Sequence, residues 1–169
     1  MNTRKLVINS LFLAIGAILQ QITPPLVFGM KPDFSLALLF IIMILNDDYK
    51  TCITCGIVVG ILSAVTTTFP GGQLPNIIDK FVTTNVMFLL LMPIRNALNN
   101  QIKVVLITAI GTIVSGTVFL TSAFMIVGLP ASFRVLFLAV VIPAGVINTV
   151  AGLVLYNAIN VASKRKVNI

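Results

Sequence analysis

The chain has 169 residues, 58% of them hydrophobic, a mean hydropathy of +1.10, and only 11 Lys and Arg against four Asp. A soluble domain carries roughly 25% charged residues, so a chain with 9% cannot cover a surface in water, and its solvent is lipid. Neither histidine nor glutamate occurs. The commonest general base and metal ligand is therefore missing, and the composition points away from an enzyme and from a metal or other cofactor.

A hydrocarbon core of about 30 Å takes about 20 helical residues per crossing. On that measure the apolar runs divide a single domain, residues 1–169, into six membrane helices. The first, Lys5–Gln21, continues past a short apolar stretch with no small-residue cleavage site behind it, and reads as a retained membrane helix. The second lies near Asp33–Asn46. Counted from Pro32 it spans about 21 Å at 1.5 Å per residue, so it must start nearer Phe28 or lie where the protein is thin. The third covers Lys50–Thr68, the fourth Ile77–Met92, the fifth Lys103–Val127 and the sixth Phe133–Asn160. Proline and glycine mark the breaks, at Thr23-Pro24-Pro25, Pro70–Pro75, Met92-Pro93 and Leu129-Pro130. With both termini inside, Arg4, Lys5, Lys50, Arg95, Lys103, Lys164, Arg165 and Lys166 are cytoplasmic, and only Lys31 and Arg134 are external. That bias predicts N-in, C-in topology. The cations are spread over loops and form no single patch with stacking aromatics, so the net charge of +7 reports topology and not nucleic-acid binding.

Ionisable groups at membrane depth cost at least about 2.5–3.5 kcal/mol each, so each one needs a reason. Three places carry such groups or a buried amide: Gly29-Met30-Lys31-Pro32-Asp33, the stretch Pro70–Lys80, and Asn148 beside Pro143 and Gly145. The topology puts the first two on the outer face. On a helix, Asn76, Asp79 or Lys80, Thr83 or Thr84, and Met87 fall on one stripe, and a polar stripe in a membrane helix faces protein or a cavity. Lys31 and Lys80 with Asp33 and Asp79 suit a zwitterion, whose carboxylate and ammonium each need an opposite charge. Equally, these four could pair with one another and with lipid headgroups and simply close the helix ends.

Other motifs read as packing. Gly56-x-x-x-Gly60-x-x-x-Ala64 in the third helix, the stripe Thr108, Gly111, Thr112, Ser115 and Ser122 in the fifth, and Ser10-x-x-x-Ala14 with Gly16 and Ala17 in the first are close-approach surfaces. The first helix could also dock a membrane partner. Cys52-Ile53-Thr54-Cys55 has no further Cys or His to complete a zinc site, and reads as two small packed residues. No G-x-x-x-x-G-K-[ST] loop occurs, so any energy from ATP by that route comes from another subunit.

Gly-Met-Lys-Pro-Asp at 29–33 and Pro-x-Gly-Gln-x-Pro-Asn-Ile-Ile-Asp-Lys at 70–80 carry a resemblance to the TrpP family of bacterial tryptophan transporters. Lys5–Ile8, Leu11-Phe12, Ala14–Ala17, Gly60–Thr68, and Ile110-Gly111-Thr112 with Ser115-Gly116 extend it over nearly the whole chain. These transporters are similar to the substrate-binding S components of energy-coupling factor (ECF) importers. The resemblance implies an all-α, ECF S-component-like bundle in the bacterial cell membrane that captures L-tryptophan outside. It would deliver the substrate through a T component driven by two ABC ATPase subunits. Met30, Lys31, Asp33, Gln73, Asn76, Asp79 and Lys80 become site candidates, and Ser10, Ala14 and Ala17 partner-interface candidates.

Burying an indole of roughly 200 Å² contributes about 5 kcal/mol, short of the roughly 8.2 kcal/mol of micromolar binding, so the charged ends must contribute. The expected roles are Lys80 or Lys31 on the carboxylate, Asp79 or Asp33 on the ammonium, and Met30 and Met87 against the ring. Gln73, Asn76 or Asn148 would accept from the indole N–H. Two other readings compete: an autonomous proton-coupled carrier in which Asp79 titrates, and a ligand-free scaffold in which the polar stripe only ties helices together.

Overall fold

The computed structural model describes residues 3–25 and 28–165. Of the cations that orient the chain, Lys166 lies outside the described residues, and the side chains of Arg4, Lys164 and Arg165 are not described. The helices are α1 (Thr3–Ile22), α2 (Phe34–Leu45), α3 (Tyr49–Thr66), α4 (Gln73–Ile94) and α5 (Asn100–Ile126). A last run follows, made of α6 (Phe133–Leu136), a π-helical turn (Phe137–Val141) and α7 (Ile142–Arg165). The chain is thus an all-helical membrane bundle of six passes. Five of them are long and apolar enough to cross a bilayer; α2, with 12 residues, is not.

The reason for the short pass is local. Asp33 caps α2 by accepting the Leu36 N–H at 2.9 Å, and Asn46 ends it by turning both its backbone N–H and its side-chain amide onto the Ile42 carbonyl. The expectation that this helix begins nearer Phe28 fails, because Phe28 and Gly29 both have positive φ (50° and 75°), which no right-handed helix accepts. The helix needs no bilayer length, since every residue from Ser35 to Ile44 is buried and α1, α3, α4, α5 and α7 pack around it. It is the core of the bundle. At 1.5 Å per residue α2 runs about 18 Å against about 27 Å for α3, which starts just after α2 ends. One end of the bundle is therefore left hollow by roughly 9 Å.

Glycines set how closely the helices approach. A Cβ on Gly56 would lie 2.2 Å from Thr84 Oγ1, and one on Gly60 3.3 Å from Lys80 Cβ, so the small-residue ridge of α3 faces α4. On α5, Gly111 receives the Phe40 ring of α2, with the same clearance of 2.2 Å. Cys52 and Cys55 are free thiols packed in the main apolar core.

At the hollow end, which the charge bias predicts to be the outer one, the loops are stitched together. Thr68 Oγ1 donates to the Gly29 carbonyl, and Gly71 packs on Val127. At the other end Arg95 donates to the Met43 and Asn46 carbonyls at 3.3 and 3.2 Å and pairs with Asp47, closing the last turn of α2. Asp48 caps α3 through the Thr51 N–H and hydroxyl, and these bonds hold its carboxyl below the usual carboxylate range.

The start of α4 also departs from expectation. It begins at Gln73 and not Ile77, because Pro75 sits in the first turn, where its missing N–H costs no helical bond. Gly111→Val should lower the thermal midpoint of the detergent-solubilised protein by the equivalent of about 1–3 kcal/mol, by overpacking against Phe40. Gly145→Ala, where an added Cβ meets nothing within 4 Å, should not lower it. Equal midpoints would show that the Phe40 contact does not set the α2–α5 distance.

Candidate functional site

The hollow above α2 is a cavity of about 680 Å³ of empty space, the open solvent at its mouth included. Its walls come from every pass of the bundle, because the short central helix leaves them all facing one space. The charged wall is built from α2 and α4. Lys80 Nζ lies 2.8 Å from Asp33 Oδ2 and 2.5 Å from Asp79 Oδ2. Asp79 Oδ2 also accepts from Ser115 Oγ, and Oδ1 from Thr83 Oγ1, each at 2.8 Å. Asp79 and Lys80 are 1% and 2% exposed, whereas the Asp33 side chain retains 15%. Charges this deep persist only when paired and hydrogen-bonded. The sequence supplies the means: Thr83 lies four residues from Asp79 on one helix face, and Ser115 reaches across from α5.

Three charges sum to one negative. The balancing cation at the cavity is Lys31, half-buried, whose Nζ donates to the Gln20 carbonyl at the end of α1 at 2.7 Å. Among the described residues no carboxylate lies within ion-pair distance of it.

The rest of the lining is largely apolar. Met30, Phe69, Leu120, Val140 and Val141 belong to a second buried cluster, against which Phe119 packs, and Phe69 meets Phe119 edge to face at 5.4 Å. The π-helical turn supplies part of this wall. Ile142 bonds back to Phe137, five residues away, and Pro143 has no N–H to restore the ordinary ladder. The wider turn brings the adjacent Val140 and Val141 both onto the cavity. Three buried polar atoms of lining residues have no hydrogen-bond partner: Gln20 Oε1, Ser63 Oγ and Asn148 Oδ1.

Of the candidates read from the sequence, Met30, Lys31, Asp33, Asn76, Asp79, Lys80 and Asn148 line the cavity. Gln73 does not: it is exposed on the first turn of α4. Met87 does not either, lying about two turns below Lys80 in the main core. Asn76 turns its amide onto the Gly72 carbonyl at 2.8 Å and is partly used up in holding the helix start. The sequence reading did not single out Gln20, Ser63, Thr67, Phe69 or Phe119, and it assigned Thr112 and Ser115 to packing. The spacing Thr112-x-x-Ser115-Gly116-x-x-Phe119, one face of α5, is the signal that could have found three of them. On α1, Ser10 and Ala14 are exposed and Ala17 is half-buried, while Gly16 faces Ser35 of α2.

A net-neutral cavity with a charged wall and an apolar wall has the chemistry to hold a neutral molecule with charged and apolar ends. Comparison with known proteins agrees in kind. Residues 2–164 match the family described as Tryptophan transporter TrpP. A protein of Clostridium acetobutylicum described as a probable tryptophan transport protein is 60% identical over 94% of this chain and 93% of its own length. Proteins of the same description from Clostridium perfringens and Bacillus subtilis are each 47% identical, over 97% and 98% of this chain and 95% of their own lengths. No solved structure matches. The chain belongs to the TrpP tryptophan transporter family, and its bundle is that of a multi-pass membrane transporter and not of an enzyme.

Proposed function

We propose that this chain is the substrate-binding subunit for L-tryptophan uptake in a bacterial cell membrane, N-in and C-in, and that it works as the S component of an ECF importer. The description of its relatives supports the substrate. The observation that carries the site is Lys31, a cavity cation with a backbone carbonyl but no carboxylate for a partner, close in sequence to the partly exposed Asp33. Lys31 takes the substrate carboxylate with its remaining donors, and Asp33 takes the ammonium. Lys80 and Asp79 are too enclosed to leave each other; their role is to hold Asp33 and keep the cavity neutral. A zwitterion enters such a site without adding net charge in a low-dielectric space, where a tryptophan analogue lacking its ammonium or its carboxylate would add one. The indole points down the apolar wall that runs from Phe69 and Phe119 to Val141 and Ala144.

Energy comes from outside the chain, which carries no phosphate loop. The bare face of α1 with Ser10 and Ala14 suits docking to a T component that two ABC ATPases drive. An autonomous proton-coupled carrier is less well supported. Asp79, the carboxylate it would need, is engaged on both oxygens by Lys80, Ser115 and Thr83.

The chain contains no tryptophan, so indole emission reports ligand alone. L-tryptophan added to the purified protein should show a saturable blue shift, and Lys31→Ala should weaken binding at least about tenfold, near 1.4 kcal/mol, with an unchanged thermal midpoint. A flat titration of folded protein would remove tryptophan as substrate. Lys80→Met should behave differently, destabilising the fold itself by about 3–5 kcal/mol because two carboxylates lose their buried partner. A normal midpoint for that variant would show that the ion cluster is not structural. Uptake in cells should require the co-expressed T component and ATPases and should survive collapse of the proton gradient while ATP is maintained. Uptake by the chain alone would overturn the ECF assignment.

A further inference from the structure

We infer that Asn148 is the specificity residue of this cavity, accepting the ring N–H of an aromatic amino acid, and that Thr112 is the positioning residue that aims it. The inference rests on the tryptophan-binding reading and goes beyond it by assigning the atom that tells an indole from a ring without a donor.

Asn148 is 1% exposed, lines the cavity, and its Oδ1 has no partner. A buried acceptor without a donor is costly, and in a substrate site that cost is recovered when the ligand brings the donor. Asn148 Nδ2 donates to Thr112 Oγ1 at 3.3 Å, which leaves Oδ1 as the unengaged atom.

Gln20 Oε1 is a second unpartnered acceptor at the cavity, but it belongs to the charged end, since the carbonyl of the same residue holds Lys31. Asn148 instead follows Val141 of the π-helical turn and Ala144 of α7 around the cavity lining and meets Thr112 of α5, on the side of the cavity away from Lys31. Helical spacing puts it about 10 Å beyond Val141, toward the closed end of the cavity. A ring that reaches this depth presents its N–H to Oδ1.

The test compares L-tryptophan with 3-benzothienylalanine, in which sulfur replaces the ring N–H at nearly the same shape, by titrating each into wild type, Asn148→Leu and Thr112→Val. Wild type should prefer tryptophan by about 10- to 100-fold, the range expected for leaving one buried acceptor unpaired. Asn148→Leu should bring the two ligands within about threefold by losing tryptophan affinity while keeping the benzothienyl analogue, which also shows that the variant is folded. Thr112→Val, nearly isosteric, should narrow the ratio at an unchanged thermal midpoint. This last comparison keeps the test decisive if Asn148→Leu does not fold, because a purely structural Thr112 would leave the ratio unmoved. Equal affinities in wild type, or a ratio that persists in either folded variant, would overturn the assignment while leaving tryptophan as substrate. If wild type binds neither ligand, it is the tryptophan reading that falls.

Discussion

Lys80 sits between Asp33 and Asp79 inside a membrane bundle, and much of the architecture follows from what that requires. Three charges in such a place must be brought together from separate segments and then shielded. Asp33 cannot reach Lys80 from a loop at the membrane surface, so α2 must begin deep, and it does so on Asp33 itself, whose other oxygen caps the helix. A helix that begins deep is short, and a short central helix leaves a hollow above it. The cavity, the cap and the ion cluster are thus one solution to one electrostatic demand.

The same geometry explains why α2 is the most apolar helix while touching little but protein. Surrounded on all sides, it buries Leu36 to Met43 completely, and side chains of other passes close its ends: Lys80 on its own cap Asp33 at one end, Arg95 and Asn9 at the other. The surrounding helices keep their apolar faces for lipid. Their inward faces carry the small and hydroxyl residues that let them approach and, near the cavity, supply hydrogen bonds to the buried charges.

Much of this was readable from residue order. The polar groups on an otherwise apolar chain marked the cavity lining, and Asp33 and Asn46 bounded α2 within a residue of its true ends. What failed was height. The stripe from Asn76 to Met87 is one buried face of α4, yet it passes through the cavity and on into the core, and only the three-dimensional level of α2 decides where one gives way to the other. Met87 was therefore misplaced, and Gln73 was placed in a loop because Pro75 reads as a breaker when it is in fact a first-turn residue. Thr112 and Ser115 were read as spacers because hydroxyl residues serve close packing and hydrogen bonding alike. The π-helical turn leaves no trace in hydrophobic periodicity beyond Pro143.

The crossing of the α1–α2 and α3–α4 loops has a consequence for how such a chain can change over time. Surface loops ordinarily absorb insertions. Here Phe28 and Gly29 hold a left-handed turn, which costs a residue with a side chain roughly 1–2 kcal/mol, and the Gly29 carbonyl is fastened by Thr68, while a Cβ on Gly29 would lie 2.6 Å from the Thr68 carbonyl oxygen. Met30 and Lys31 follow immediately on one side, and Phe69 on the other. An added residue in either loop would shift the register of cavity side chains in both, so the two loops can change length only together. Length variation is left to places such as the exposed turn at Asn96 and Ala97, at the far end of the bundle from the cavity.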